Sequence, residues 1–204
     1  MSRVLRAKPG QQFELSDGRE IWLAQIDSVQ RDAVKFVLVE PIPAADPRLR
    51  TVLLLSVVKF DRFEWALEKA TELGVSEICP LSAARCEKAL LQAAPRRALR
   101  WKKILFESAQ QSRRLRPPEL HLLTRANASF ATFGECDCKV LFSELPTAPA
   151  LRNCLKGVKA QSAAMAIGPE GGWTDEELAA ARAAGFREAS LGSTILRTET
   201  AVVA

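Results

Sequence analysis

Apolar positions along the chain follow two successive patterns. Residues 1 to about 40 alternate short β-like runs with turns: Gln12 to Leu15, a turn at Asp17-Gly18, Glu20 to Asp27, then Ala33 to Glu40. That spacing predicts the meander of a small β-domain. Pro41-Ile42-Pro43 through Pro47 reads as a linker, since proline and small residues resist both helix and central strand. The expected domains are therefore 1–45 and 46–204.

From Arg50 strands and helices alternate. Thr51 to Val58 is a continuous apolar run, as in a strand covered on both faces. Asp61 is placed to cap a helix with the apolar stripe Phe63, Ala66, Leu67, Ala70 and Leu73, stopped by Gly74. Val75 to Pro80 is the next strand, and Pro95 to Ser112 a helix offering Leu99, Trp101, Ile104, Leu105 and Ala109 for packing. Lys139 to Phe142, Ala163 to Ile167 and Glu188 to Leu191 are further strands. This alternation predicts the α/β class, with a mostly parallel sheet covered by helices on both faces.

Composition narrows the setting. With 204 residues, 48% of them hydrophobic, the chain can bury a substantial core. No apolar stretch is long enough to cross a bilayer and the N-terminus has no signal-peptide core, so a cytoplasmic location is expected. The five cysteines (Cys79, Cys86, Cys136, Cys138, Cys154) lack paired metal spacing, and a single histidine, His121, accompanies them. Reduced thiols and no metal are expected. A formal net charge of +5 suits a polyanionic partner. Arg96, Arg97, Arg100, Lys102, Lys103, Arg113, Arg114 and Arg116 crowd one region in which Glu107 is the opposing charge. They form either a solvated helix face or a phosphate contact; mutual repulsion favours the contact.

The most informative segment is Ile167-Gly168-Pro169-Glu170-Gly171-Gly172-Trp173-Thr174, followed about twenty residues later by Leu191-Gly192-Ser193-Thr194-Ile195-Leu196-Arg197-Thr198-Glu199-Thr200-Ala201. Each follows a short strand. Glycine lets a ligand approach the backbone, so two such loops at neighbouring strand ends are suited to line one crevice. Neither has the spacing of a dinucleotide fingerprint or a P-loop. Part is plain helix punctuation: Thr174 with Glu177 makes a capping box and Gly185 a C-terminal stop.

The run from Ala166 to Ala201 resembles the C-terminal signature of the RsmE-type 16S rRNA (uracil-N3)-methyltransferases of the SPOUT superfamily. Arg3-Val4-Leu5-Arg6 with Pro9-Gly10 and Asp17-Gly18, Lys69 to Val75 with Pro80-Leu81 and Arg85-Cys86, and Trp101 to Ile104 with Glu107 to Ser112 match the same family in order. The resemblance implies a PUA-like N-terminal β-barrel, a SPOUT domain with a C-terminal trefoil knot, and a homodimer that acts on the small ribosomal subunit. Against the family pattern the barrel is expected to be short at its N-terminus and the second domain at its C-terminus.

The implied cofactor is S-adenosyl-L-methionine. By resemblance it is held by Leu141, Ser143, Glu144, Ile167, Gly168, Pro169, Glu170, Gly171, Gly172, Leu191, Gly192, Ile195, Leu196, Thr200 and Ala201. Uridine N3 must lose its proton, and a cation near O2 or O4 stabilises the anion. Arg197 is the first candidate; the alternative is an ion pair with Glu199 or Glu170 that braces the knot. Glu199 either accepts the proton or orients Arg197. Arg85 either faces the RNA at the pocket mouth or pairs with Glu87, while Trp173 either covers the pocket or staples the helix entry. His121 is expected to be packed or superficial. Arg3, Arg6, Arg113, Arg114 and Arg116 are candidates for RNA contact. Two other readings stay open: another SPOUT activity such as ribose 2′-O-methylation, and a catalytically weak RNA-binding or ribosome-assembly protein.

Overall fold

The computed structural model describes residues 8–43 and 49–204, so the candidates Arg3 and Arg6 lie outside the described residues. The chain divides into two compact units, 1–46 with 113–116, and 47–112 with 117–204.

The first unit contains β1 (Gln12–Ser16), β2 (Ile21–Val29) and β3 (Val34–Ile42), an antiparallel sheet in the order β1-β2-β3. The β1–β2 turn forms as the sequence predicts. Asp17 accepts the backbone N–H groups of Arg19 and Glu20 at 2.7 and 2.9 Å, and Gly18 supplies a φ of 86°. The N–H of Glu20, then that of Arg19, holds the Asp17 carboxyl below its usual range. β3 runs into the expected linker, with Pro41 opposite Trp22. A proline is tolerated there because, among the described residues, β3 is an edge strand, where no neighbour needs the missing N–H. Residues 113–116 return to β1: Ser16 donates to the Leu115 carbonyl at 3.3 Å, and Arg113 lies 3.9 Å from Glu14.

The second unit is α/β. Its strands are β4 (Arg50–Ser56), β5 (Glu77–Ser82), β6 (Glu119–Leu120), β7 (Thr124–Arg125), β8 (Cys138–Phe142), β9 (Ser162–Ile167) and β10 (Arg187–Ala189). All pair in parallel in the order β10-β8-β9-β4-β5-β6, with β7 also on β5. The helices are α1 (Phe60–Glu72), α2 (Lys88–Gln111), α3 (Ala126–Thr132), α4 (Leu151–Cys154), α5 (Asp175–Ala183) and α6 (Thr198–Val203). Alternate residues of β4 supply both cores. Val52 and Leu54 join Phe130 of α3 and Leu178 of α5, whereas Leu53 and Leu55 join Phe63 of α1 and Trp101 of α2, with Ala201 of α6 packed alongside. A strand buried on both faces needs a continuous apolar run, which is what 51–58 shows.

Helix predictions fail where one dimension misleads. α2 begins at Lys88 and runs through Pro95, the residue expected to start it. The proline removes one backbone bond, at roughly 3 kcal/mol. Fully buried Ala94, with Leu90 and Leu91 packed against the core, offsets that loss. Leu73 is 63% exposed because it caps α1 at its C-terminus; Thr71 is buried instead, its hydroxyl donating to the Leu67 carbonyl at 2.8 Å. Leu99 is 82% exposed on the outer face of α2. Most of the punctuation is as read: Gly74 and Gly185 take φ of 92° and 84°, and Thr174 and Glu177 form the capping box, whereas Asp61 lies inside the first turn of α1 and Lys59 takes the N-cap position. All five cysteines are free and buried, and burial pushes the thiols of Cys79, Cys86 and Cys136 up.

At the amino ends of β4 and β5, Arg50 donates to Glu77, and His121 lies 2.9 Å from the other Glu77 oxygen. Burial acts to raise the Glu77 pKa, but the hydrogen bonds from Arg50 and His121 outweigh it and hold the carboxyl below its ordinary 4.5. A depressed carboxyl stabilises the fold above its unfolded pKa, and that contribution is lost as pH falls through the folded one. Glu77→Gln is thus expected to lose about 1–2 kcal/mol at neutral pH, a figure reduced because Arg50 is half exposed. Urea midpoints followed below pH 4.5 should converge on those of wild type; a constant gap would exclude Glu77 from the acid transition.

Candidate cofactor-binding site

β8 lies between β9 and β10 in the sheet, so the loops leaving these three parallel strands emerge side by side. Together they enclose a cavity of about 320 Å³, a volume in the range of small-molecule sites. Phe142, Ser143, Glu144 and Leu145 form one wall. Ile167, Gly168, Pro169, Glu170, Gly172 and Trp173 form the second, and Ser190 to Leu196 the third, with Thr198 and Ala201 of α6 and Arg85 completing it.

Local contacts explain the glycines. A Cβ on Gly168 would stand 3.0 Å from the Trp173 ring, which is packed against that backbone. The Trp173 indole N–H crosses to the Phe142 carbonyl at 2.9 Å, binding the second wall to the first. Trp173 lines the cavity, packs into the core beside Phe130 and is itself only 8% exposed. Gly172 takes a φ of 70°, and a Cβ there would meet a Glu144 oxygen at 3.3 Å. The Thr198 hydroxyl donates to the Gly168 carbonyl at 3.0 Å, joining α6 to the glycine loop.

Most residues expected to hold a cofactor line this cavity: Ser143, Glu144, Ile167, Gly168, Pro169, Glu170, Gly172, Leu191, Gly192, Ile195, Leu196 and Ala201. Leu141 is sealed in the core one residue before the wall, Gly171 contributes its carbonyl to Arg85, and Thr200 is exposed outside the lining. Arg85 lines the mouth and donates to Gly171 at 2.7 Å; the alternative partner Glu87 is not used. Arg197 and Glu199 do not line the cavity. Arg197 is exposed at the start of α6, and among the described residues no carboxylate pairs with it. Arg62 of α1 pairs instead with both Glu170 and Glu199. The ion pairs considered for Arg197 are thus made by a different arginine. Nothing in the local pattern of α1 marks Arg62 for that role, nor does the loop sequence single out Thr198.

The basic region also differs from its linear reading. Glu64 of α1 approaches Arg97 at 3.3 Å and Arg100 at 2.9 Å, and Arg97 sits 4.6 Å over the Phe60 ring. Glu107 is therefore not the only opposing charge: Glu64 pairs with two of the eight cations, Lys103 lies 3.7 Å from Glu107, and Arg113 lies 3.9 Å from Glu14. Among the described residues, Glu77, Glu119 and His121 bring ligand atoms within 4.8 Å of one another. The Arg50 guanidinium already occupies Glu77 there, leaving a poor donor set for a metal ion.

The profile of the RNA methyltransferase domain family matches residues 45–204. This chain belongs to that family. Ribosomal RNA small subunit methyltransferase E of Synechocystis is 34% identical over 206 residues, covering 98% of this chain and 66% of the relative. The protein of the same name from Mesomycoplasma hyopneumoniae is 33% identical over 158 residues, covering 78% and 68%. The chain thus spans about two thirds of the length of these two relatives. Among solved structures, ribosomal RNA small subunit methyltransferase E from Neisseria gonorrhoeae bound to S-adenosyl methionine has a TM-score of 0.88 at 28% identity, over 99% of this chain and 83% of that one. A Legionella pneumophila methyltransferase in complex with the same cofactor has a TM-score of 0.86 at 29% identity, with the same coverage. In this RNA methyltransferase domain the indole bond is separable from the indole packing. Trp173→Phe should cost about 1 kcal/mol and Trp173→Ala about 3–5 kcal/mol by denaturant titration; equal losses would mean that ring packing on Gly168 contributes little.

Proposed function

We propose that this protein is an S-adenosylmethionine-dependent methyltransferase acting on N3 of a uridine in the 16S rRNA of the small ribosomal subunit. The observation that carries the reading is the cavity at the ends of β8, β9 and β10, in a fold that matches two cofactor-bound structures over 99% of its length. The residues present fit the cofactor. Ile167, Leu191, Ile195 and Leu196 offer apolar faces to an adenine ring, Gly168 and Gly172 let Trp173 and Glu144 close against the loop backbone, and Ser143 and Glu144 offer polar groups to the cavity. When bound, S-adenosylmethionine supplies an activated methyl group, so the protein has to position the acceptor and stabilise developing charge.

Arg197 is assigned to the second task. Its charge is not spent on an internal carboxylate, and it sits beside Leu196 of the third wall, available to an oxygen flanking N3. Arg85, anchored on Gly171, presents its charge at the mouth for the RNA. Glu199 faces Arg62, which favours a holding role over proton acceptance. Arg113, Arg114 and Arg116 are assigned to phosphate contact, together with Arg3 and Arg6.

The same reading takes 1–45 as a PUA-like barrel domain, to which the three-stranded sheet belongs, and 46–204 as a SPOUT domain with a C-terminal trefoil knot. A homodimer and a cytoplasmic setting complete it. Among the described residues no helix is long and apolar enough to cross a membrane.

Mass mapping of nucleosides from small subunits lacking the modification should find 3-methyluridine; a ribose-methylated product would reject the N3 assignment. Arg197→Ala should reduce turnover about 10²–10³-fold while preserving cofactor affinity. A parallel loss of affinity would make the residue part of the pocket structure. Removing Arg113 and Arg116 together should flatten the salt dependence of RNA binding by about 2 in log–log slope, and an unchanged slope would take that segment out of the RNA path.

A further inference from the structure

Arg62 lies outside the cavity, yet its guanidinium reaches two of the cavity's supporting segments. It pairs with Glu170 on the glycine loop and, through Nε at 3.6 Å, with Glu199 in the first turn of α6. The Arg62 side chain is 27% exposed and that of Glu199 is 14% exposed, so solvent screens this contact only weakly. The second Glu199 oxygen is buried with no hydrogen-bond partner among the described residues, which leaves Arg62 as the compensating charge for that carboxylate. A planar guanidinium presents donors in several directions and holds two carboxylates at once, whereas a lysine ammonium is a point charge on a flexible stem. Glu170, Thr198 and Ala201 line the cavity, so the pair and the Thr198–Gly168 hydrogen bond join the same two segments in parallel.

We propose that Arg62 is a positioning residue, clamping the glycine loop to the start of α6 and so setting the spacing of two walls of the cofactor cavity. The inference rests on the cofactor reading for its effect on affinity, but the clamp itself can be tested without cofactor. A site held open at the right width loses less freedom when its ligand binds, so a residue that touches no ligand still changes affinity.

Hydrogen exchange and calorimetry with S-adenosylmethionine would be measured on wild type, Arg62→Met, Arg62→Lys and the double variant Arg62→Met/Glu199→Gln. In Arg62→Met, amides in 168–172 and in 198–203 should exchange faster while those of α2 do not, and cofactor affinity should fall about 10-fold or more. Arg62→Lys should protect one of the two segments and not both. The double variant removes the stranded charge and should recover thermal stability without recovering affinity. That split identifies a clamp, because a purely structural ion pair would restore both together. Unchanged exchange in both segments, or affinity restored in the double variant, overturns the proposal. Absence of cofactor binding in wild type would reject the functional reading, and the exchange data would then decide the clamp alone.

Discussion

The cavity depends on parallel pairing of β8 with β9 on one side and β10 on the other. In a parallel sheet every strand ends at the same edge, so three neighbours deliver three loops to one place whatever their sequences. Register then matters. Leu141 opposite Ala166 and Phe142 opposite Ala189 bring Ser143, Ile167 and Ser190 to that edge together. A one-residue slip of β8 would turn its buried side chains to the other face and move Phe142 away from the Trp173 indole. The glycines refine a crevice that the sheet has already created.

Two kinds of contact keep the loops in place. On one face the Trp173 indole links the glycine loop to the end of β8, an apolar packing contact carrying one hydrogen bond. On the other, Thr198 and Arg62 link that loop to α6 through a neutral hydrogen bond and a shared guanidinium. The charged link is the more conditional. An unpaired carboxylate inside a protein is costly, so Glu199 is settled in its place only while Arg62 is present. The packing contact has no comparable dependence on a single charge.

Much of this was legible in the sequence. The continuous apolar run at 51–58 predicted a strand covered on both faces, and the glycine loops pointed to one crevice because each followed a short strand. The failures share one cause. Leu73 and Leu99 satisfy a helical stripe yet end exposed, because periodicity gives the angle around a helix but not where the neighbouring element stops. Pro95 reads as a helix start, yet burial of Ala94 carries the helix through it. Glu64 and Arg62 stand thirty or more residues from the groups they neutralise. Charge pairs between elements of a folded chain leave no mark in local spacing, so the basic run looked less compensated than it is.

That blind spot bears directly on Arg197. In the linear sequence, Arg197 and Glu199 flank Thr198 and invite pairing. The fold separates them: Glu199 turns toward α1, Thr198 toward Gly168, and Arg197 is left exposed at the first turn of the helix. Three successive side chains point three ways because residues at i, i+1 and i+2 do not share a helix face. An arginine paired with a buried carboxylate would be a weak electrophile, its charge already neutralised. By taking Glu170 and Glu199, Arg62 leaves Arg197 uncompensated beside the third wall, which is what stabilising a developing anion requires. The clamp and the proposed catalytic charge are thus two consequences of a single arrangement of carboxylates.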